Sequence, residues 1–202
     1  MIAIVDYGMG NLKNVQTAFK NIGMESVITS KETDIDESDA ILLPGVGAFR
    51  DSIKCLNESG LVPCIRRNVA EGKVLMGICL GMQLLFEKSY EDGEWEGLGL
   101  LKGNVVKFDL DLKVPHMGWN NILAKREDPI GKGVDDGEFA YFVHSYYAVP
   151  ENMDDVVFSS EYGIEFPALV RSGNVMGAQF HPEKSGDTGY KILKNLKEMI
   201  EA

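Results

Sequence analysis

The chain has 202 residues, 45% hydrophobic and 25% charged, enough for one α/β core and unlike a disordered or fibrous protein. Its formal net charge of -11 repels phosphate backbones and anionic membrane surfaces, so neither nucleic acid nor a membrane is an expected partner. No apolar run approaches the roughly 18 residues that cross a bilayer, and no basic segment precedes Ile2-Ala3-Ile4-Val5, which predicts a cytoplasmic protein with reduced thiols.

In chain order, residues 1–5 form a short apolar run that ends at Asp6-Tyr7-Gly8, the pattern of a buried strand and its turn. Leu12, Val15, Phe19 and Ile22 then recur at helical spacing over 11–22, and Gly23 stops the helix. Strands are predicted at 26–29 and 40–43, helices at about 48–58 and 61–71, a strand at 73–78 and a helix over 80–87. Alternating strands and helices imply right-handed crossovers and a mostly parallel sheet. The second half changes character. Strands are predicted at 104–108, 121–124, 140–148, 156–160, 166–170 and 175–180, followed by a helix at about 188–201. The fold class expected is α/β, a mostly parallel sheet with an antiparallel extension inside a single domain spanning 1–202.

Chemistry concentrates in three segments. In Gly77-Ile78-Cys79-Leu80-Gly81 a buried strand runs into a helix through G-x-C-x-G, the thiol counterpart of a serine nucleophile elbow. Glycines flank the nucleophile because Cβ atoms would clash at so sharp a turn. The sulfur then sits where free helix amides favour a thiolate and receive an oxyanion. Cys55 and Cys64 lie in amphipathic helical stretches and are read as buried hydrophobes. A base is needed elsewhere, and His181-Pro182-Glu183, at the end of an apolar strand, supplies an imidazole with a carboxylate two residues on. Leu43-Pro44-Gly45-Val46-Gly47 ends another strand with bare backbone amides able to face a developing oxyanion.

Together these segments resemble the class I (triad) glutamine amidotransferases, through Gly77-Ile78-Cys79-Leu80-Gly81-Met82-Gln83 and His181-Pro182-Glu183. Within that family the chain is similar to the glutaminase subunits of imidazole glycerol phosphate synthase. The narrower likeness rests on Asp6-Tyr7-Gly8-Met9-Gly10-Asn11-Leu12, Leu43-Pro44-Gly45-Val46-Gly47, Pro115-His116-Met117-Gly118-Trp119-Asn120 and Tyr141-Phe142-Val143-His144-Ser145-Tyr146. The resemblance implies a flavodoxin-like glutaminase fold, with Cys79 as nucleophile, His181 as proton carrier and Glu183 as its orienter. It implies oxyanion donors from Leu80 and from Gly45, Val46 and Gly47, the last three on a strand able to flip when the partner is loaded. It implies glutamine binding by Gln83, Ser145, Tyr146 and Glu91, and no cofactor. The implied partner is a (β/α)8-barrel cyclase subunit, docked near Asn11, Asn14, Trp119 and Lys184. That cyclase uses the ammonia to make imidazole glycerol phosphate and AICAR in histidine biosynthesis. The alternative is a paralogous amidotransferase feeding a different synthase, for sugar or polysaccharide amination.

Two other motifs are set aside. Gly8-Met9-Gly10 invites a dinucleotide reading, but Lys13 stands where the third glycine is required. His116, His144 and His181 lack the spacing of a preorganised metal site. His144 is expected instead beside the glutamine pocket or bonded to a backbone carbonyl.

Overall fold

The computed structural model describes residues 1–109 and 111–202. The first half runs β1 (Ile2–Val5), α1 (Leu12–Asn21), β2 (Ser26–Thr29), α2 (Glu32–Glu37), β3 (Ala40–Gly45), α3 (Phe49–Glu58), α4 (Val62–Ala70), β4 (Val74–Cys79) and α5 (Leu80–Leu84). Short strands follow at β5 (Lys88–Ser89), β6 (Trp95–Glu96) and β7 (Gly103–Lys107), then β8 (His116–Asn121) and β9 (Leu123–Ala124). The last elements are β10 (Phe139–His144), β11 (Tyr146–Pro150), β12 (Val156–Tyr162), β13 (Ile164–Ser172), β14 (Val175–Ala178) and α6 (Gly186–Glu201).

The main sheet has the order β2-β1-β3-β4-β14-β13-β12-β9. The first five strands are parallel and the last three extend the sheet antiparallel. β1, β3 and β14 are buried along their whole length, which is why they read as continuous apolar runs rather than alternations. Alternate side chains still serve opposite faces. Ala3, Val5, Ile41, Leu43 and Leu75 pack with Phe49, Ile53, Leu56 and Ile65 of α3 and α4. Ile2, Ile4, Ala40, Leu42 and Met76 pack with Val15, Phe19, Ile192 and Leu196 of α1 and α6. Two smaller units stand beside this sheet: the antiparallel ribbon β8–β10, and a four-stranded sheet of order β11-β7-β5-β6. No helix of the described residues is long and apolar enough to cross a membrane.

Three expectations are corrected. The helix after Cys79 ends at Leu84 instead of 87. Carbonyls 84–87 are taken by the amides of Leu98, Leu100, Leu101, Gly99 and Gly97, so the next helical turn has no acceptors. The run 140–148 is broken at Ser145, with β10 pairing β8 while β11 pairs β7 in another sheet. Only Leu123 and Ala124 of the strand expected at 121–124 reach the main sheet, as β9, whereas Asn121 closes β8. Polar α2 was not predicted; Ile35 is its one buried residue.

Glycine lets α5 sit on the sheet. A Cβ on Gly81 would lie 1.9 Å from the Leu43 carbonyl oxygen, and one on Gly77 would lie 2.6 Å from Gly81. Neither neighbour is a flexible side chain, so strand and helix would have to separate. Gly81→Ala is expected to destabilise the chain by about 3 kcal/mol in urea unfolding; a loss under about 0.5 kcal/mol, the usual surface scatter, would show the approach to be slack.

Candidate active site

β3, β4 and β14 are adjacent and parallel, so their carboxyl ends open on one edge of the sheet, where open α/β folds bind ligands. In register, Gly45 stands beside Cys79, and Ala178 beside Ile78. Three segments far apart in sequence, at 45, 79 and 181, therefore meet without any long loop.

Cys79 closes β4 with φ 55° and ψ -113°, a left-handed conformation that a residue with a Cβ holds only under constraint. Such strain amounts to about 1–3 kcal/mol. The turn lifts the side chain out of the sheet and starts α5 at the next residue, leaving the Leu80 amide without an intrahelical acceptor. The Cys79 sulfur lies 3.8 Å from the Val143 carbonyl oxygen and 3.9 Å from the Gln179 Nε2.

His181 follows β14, and its backbone is fixed from the ribbon. Its amide donates to the Tyr141 carbonyl at 2.9 Å, and its own carbonyl accepts from Ser185 Oγ at 2.6 Å. The imidazole Nδ1 is 2.8 Å from Glu183 Oε1, and both side chains are buried. Nδ1–H is the donor, which leaves Nε2 for the thiol. The second Glu183 oxygen, Oε2, is buried without a partner among the described residues, so the imidazole carries most of the burden of balancing this carboxylate. Burial alone pulls the His181 pKa down, but the Cys79 sulfur and Glu183 outweigh it and lift the group to about 9. The sulfur and the carboxylate thus both favour the protonated imidazole.

In front of these groups is a cavity of about 320 Å³. It brings together Cys79, Leu80, His181, Val46, Gly47, Gln83, Glu91, Ser145 and Tyr146. Gly45 lies behind it, one residue before the cavity wall, and Glu183 sits behind His181. Glu91 Oε2 accepts from the Phe49 amide at 2.6 Å, so this acid both faces the cavity and caps α3. Burial raises its pKa, opposed by that amide. Gln83 Nε2 is shared between the Tyr146 carbonyl and Gln179 Oε1, both at 2.9 Å, so its Oε1 is the end left for a ligand. The β3–α3 turn is tied down at two carbonyls, Pro44 by the Tyr7 hydroxyl at 2.7 Å and Val46 by Ser52 Oγ at 3.3 Å.

Asn11, Asn14, Trp119 and Lys184 are all exposed. Trp119 and Lys184 converge on one ring, Trp119 edge-on to Tyr141 at 6.1 Å and Lys184 Nζ 5.9 Å from its centroid. Around them the outer face of the ribbon exposes Met117 at 60%, Trp119 at 56% and Phe139 at 58%.

Sequence reasoning missed Pro115 and Val143 in the cavity wall, Gln179 beside the sulfur, and Met117, Phe139 and Tyr141 on the outer face. The alternation of β8 and β10 was the available signal for the last three. His144 lines the cavity and bonds the Tyr146 carbonyl, as expected of it. A larger groove of about 800 Å³ runs along 124–134 and Phe158, remote from Cys79. Its buried acid, Asp128, is already paired with Arg126 and Arg171.

Comparison with known proteins shows the family. The family model described as glutamine amidotransferase class-I matches residues 3–199. The chain is 51% identical over 200 residues to imidazole glycerol phosphate synthase subunit HisH of Caldanaerobacter subterraneus, covering 99% of this chain and 98% of that one. It is 48% identical over 199 residues to the HisH subunit of Aquifex aeolicus, covering 98% and 96%. In fold it is similar to a crystal structure of a glutamine amidotransferase, with a TM-score of 0.79 at 22% identity over 100% of both chains. It is also similar to PurLQS from Thermotoga maritima, with a TM-score of 0.78 at 22% identity over 98% and 97%. The chain belongs to the class I glutamine amidotransferase family and, within it, to the HisH subunits of imidazole glycerol phosphate synthase.

Proposed function

We propose that Cys79, His181 and Glu183 are the residues with which this amidotransferase hydrolyses glutamine. The observation that carries the reading is a thiol held at a positive-φ elbow, in one cavity with an imidazole that a buried carboxylate orients. The Cys79 sulfur attacks the carboxamide carbon of glutamine, and the carbonyl oxygen takes up negative charge. The Leu80 amide and the Gly45-Val46-Gly47 turn receive that charge. Collapse breaks the C–N bond, with His181 giving its proton to the departing ammonia. Water then attacks the thioester, His181 accepts its proton, glutamate leaves and the thiol is restored. Glu183 stabilises the imidazolium whenever His181 holds the proton. Gln83, Ser145, Tyr146 and Glu91 hold the amino-acid end of the substrate, Glu91 facing its ammonium group.

The ammonia passes to a (β/α)8-barrel cyclase subunit that makes imidazole glycerol phosphate and AICAR, and the complex acts as a lyase. Met117, Trp119 and Phe139 support the docking half of this reading. A run of exposed apolar side chains is what a monomer avoids and an interface uses. Asn11, Asn14 and Lys184 supply its polar contacts. The free thiols of Cys55, Cys64 and Cys79 suit the cytoplasm, where cysteines stay reduced.

Two measurements test this. Glutamine hydrolysis by the isolated chain is expected to rise about 5- to 150-fold, the usual span of coupling between sites, when the cyclase subunit and its ligand are added. Full activity in the isolated chain, unmoved by the partner, would contradict the reading. Replacing Glu183 by Gln should lower the His181 pKa from about 9 towards its ordinary 6.5, because burial then meets less opposition, as read by NMR titration of the imidazole. A raised folded-state pKa gives stability that is full below about 6.5 and lost as pH climbs through about 9, so the wild type's stability advantage over Glu183→Gln should shrink across that window. A variant that still titrates near 9 would remove Glu183 from its role.

A further inference from the structure

His116 of β8 stands opposite His144 of β10, both on the inner face of the ribbon and both buried. Their protonation can be read from the groups around them. His144 Nδ1 is 2.8 Å from the Tyr146 carbonyl oxygen, which only accepts, so Nδ1 carries the proton and Nε2 is bare. That bare nitrogen is 3.0 Å from His116 Nδ1, which must then be the donor. His116 Nε2 accepts in turn from Asn120 Nδ2 at 3.3 Å. The Asn120 amide has its orientation set independently, since Nδ2 donates to the Glu161 carbonyl at 2.8 Å and Oδ1 accepts from the Asn121 amide at 2.9 Å. The hydrogen bonds therefore run in one direction, from Asn120 through His116 and His144 to Tyr146. Both imidazoles are neutral Nδ1–H tautomers. Burial favours that state, lowering the pKa of His116 and bringing His144 down to about 3.

The last bond of this chain spans Ser145, where β10 gives way to β11. That bend carries Ser145 and Tyr146 into the cavity and sets the Val143 carbonyl beside the Cys79 sulfur. The Tyr146 carbonyl also receives Gln83 Nε2, so two independent donors fix one peptide plane in the pocket wall.

We propose that His116, which lies outside the cavity wall, is a positioning residue for glutamine binding: through the His144 imidazole it fixes the Tyr146 carbonyl, and with it the bend that presents Ser145 and Tyr146 to the substrate. This rests on the reading of the cavity as the glutamine site. A purely packing role makes a different prediction. The His116 ring stacks on Tyr162 at 4.3 Å and lies 5.1 Å from Phe142, so a phenyl group would satisfy packing alone while deleting the hydrogen bonds.

The test compares His116→Phe with His116→Asn in the complex with the cyclase subunit, recording KM for glutamine, kcat and the melting temperature. The asparagine amide nitrogen can take the place of Nδ1 and restore the donor to His144. His116→Phe is expected to raise KM about tenfold, the effect of leaving one buried group unpaired, with a smaller change in kcat, and His116→Asn to recover most of the loss. A wild-type KM in His116→Phe overturns the proposal, as does a loss in both variants that merely tracks the melting temperature. Should His116→Phe not fold, nitrogen NMR of the wild-type histidines decides: protonated Nδ1 and bare Nε2 at both residues support the chain, and any other pattern overturns it. A wild-type complex that turned over no glutamine would sink the glutaminase reading itself, whereas normal wild-type turnover with an unaffected His116→Phe sinks this one alone.

Discussion

Cys79 is held in a region of backbone space that side chains avoid, and the surrounding packing exists to keep it there. The strand ends and the helix begins within one residue, so α5 must lie almost on top of the sheet. It does so where Gly77 and Gly81 remove the Cβ atoms that would collide with backbone. The conformation is thus over-determined by close packing on both sides, which is how strain of this kind persists in a folded chain. What the constraint achieves is placement. A sulfur on an ordinary strand would point into one of the two cores, whereas here it stands at the edge of the sheet beside a free amide.

Strand order then does what no single motif could. Because β3, β4 and β14 are neighbours running the same way, the Gly45-Val46-Gly47 turn, the thiol and the imidazole emerge side by side. The antiparallel ribbon completes the site from outside the sheet. Tyr141 accepts from the His181 amide, Val143 faces the sulfur, and His144 pins the bend that leads into the pocket. The same ribbon turns Met117, Trp119 and Phe139 outward. One two-stranded element therefore touches His181, the cavity beside Cys79 and the exposed apolar face, so a force applied at its outer surface has a short path to the thiol.

Much of this was legible in the sequence because the chemistry is local. The elbow, the His-Pro-Glu turn and the Pro-Gly-Val-Gly strand each carry their geometry in a few adjacent residues, and the central strands announce themselves as unbroken apolar runs. Non-local pairing hid the rest. Nothing in Val143-His144-Ser145-Tyr146 marks a break, with no glycine or proline among them, because the bend is made by a side chain reaching its own neighbour and by two different partner sheets. The helix after Cys79 stops early because the segment at residues 97–101 claims the carbonyls of residues 84–87. The acidic stretch after Tyr90 reads as plain loop, yet Trp95 and Glu96 pair with β5 and Glu91 is drawn back to cap α3. Gln179 escaped notice since its role depends on Gln83 taking one end of its amide and leaving the other for the sulfur.

In the proposed reaction one sulfur, that of Cys79, forms the bond to glutamine. Rapid quenching of the cyclase-bound complex during glutamine turnover, followed by peptide mass mapping, tests it most directly. A γ-glutamyl adduct is expected on the peptide that contains Cys79, absent when His181 is replaced by Ala because the thiol then loses its proton partner. An adduct on Cys55 or Cys64, or steady turnover in Cys79→Ala, would contradict it.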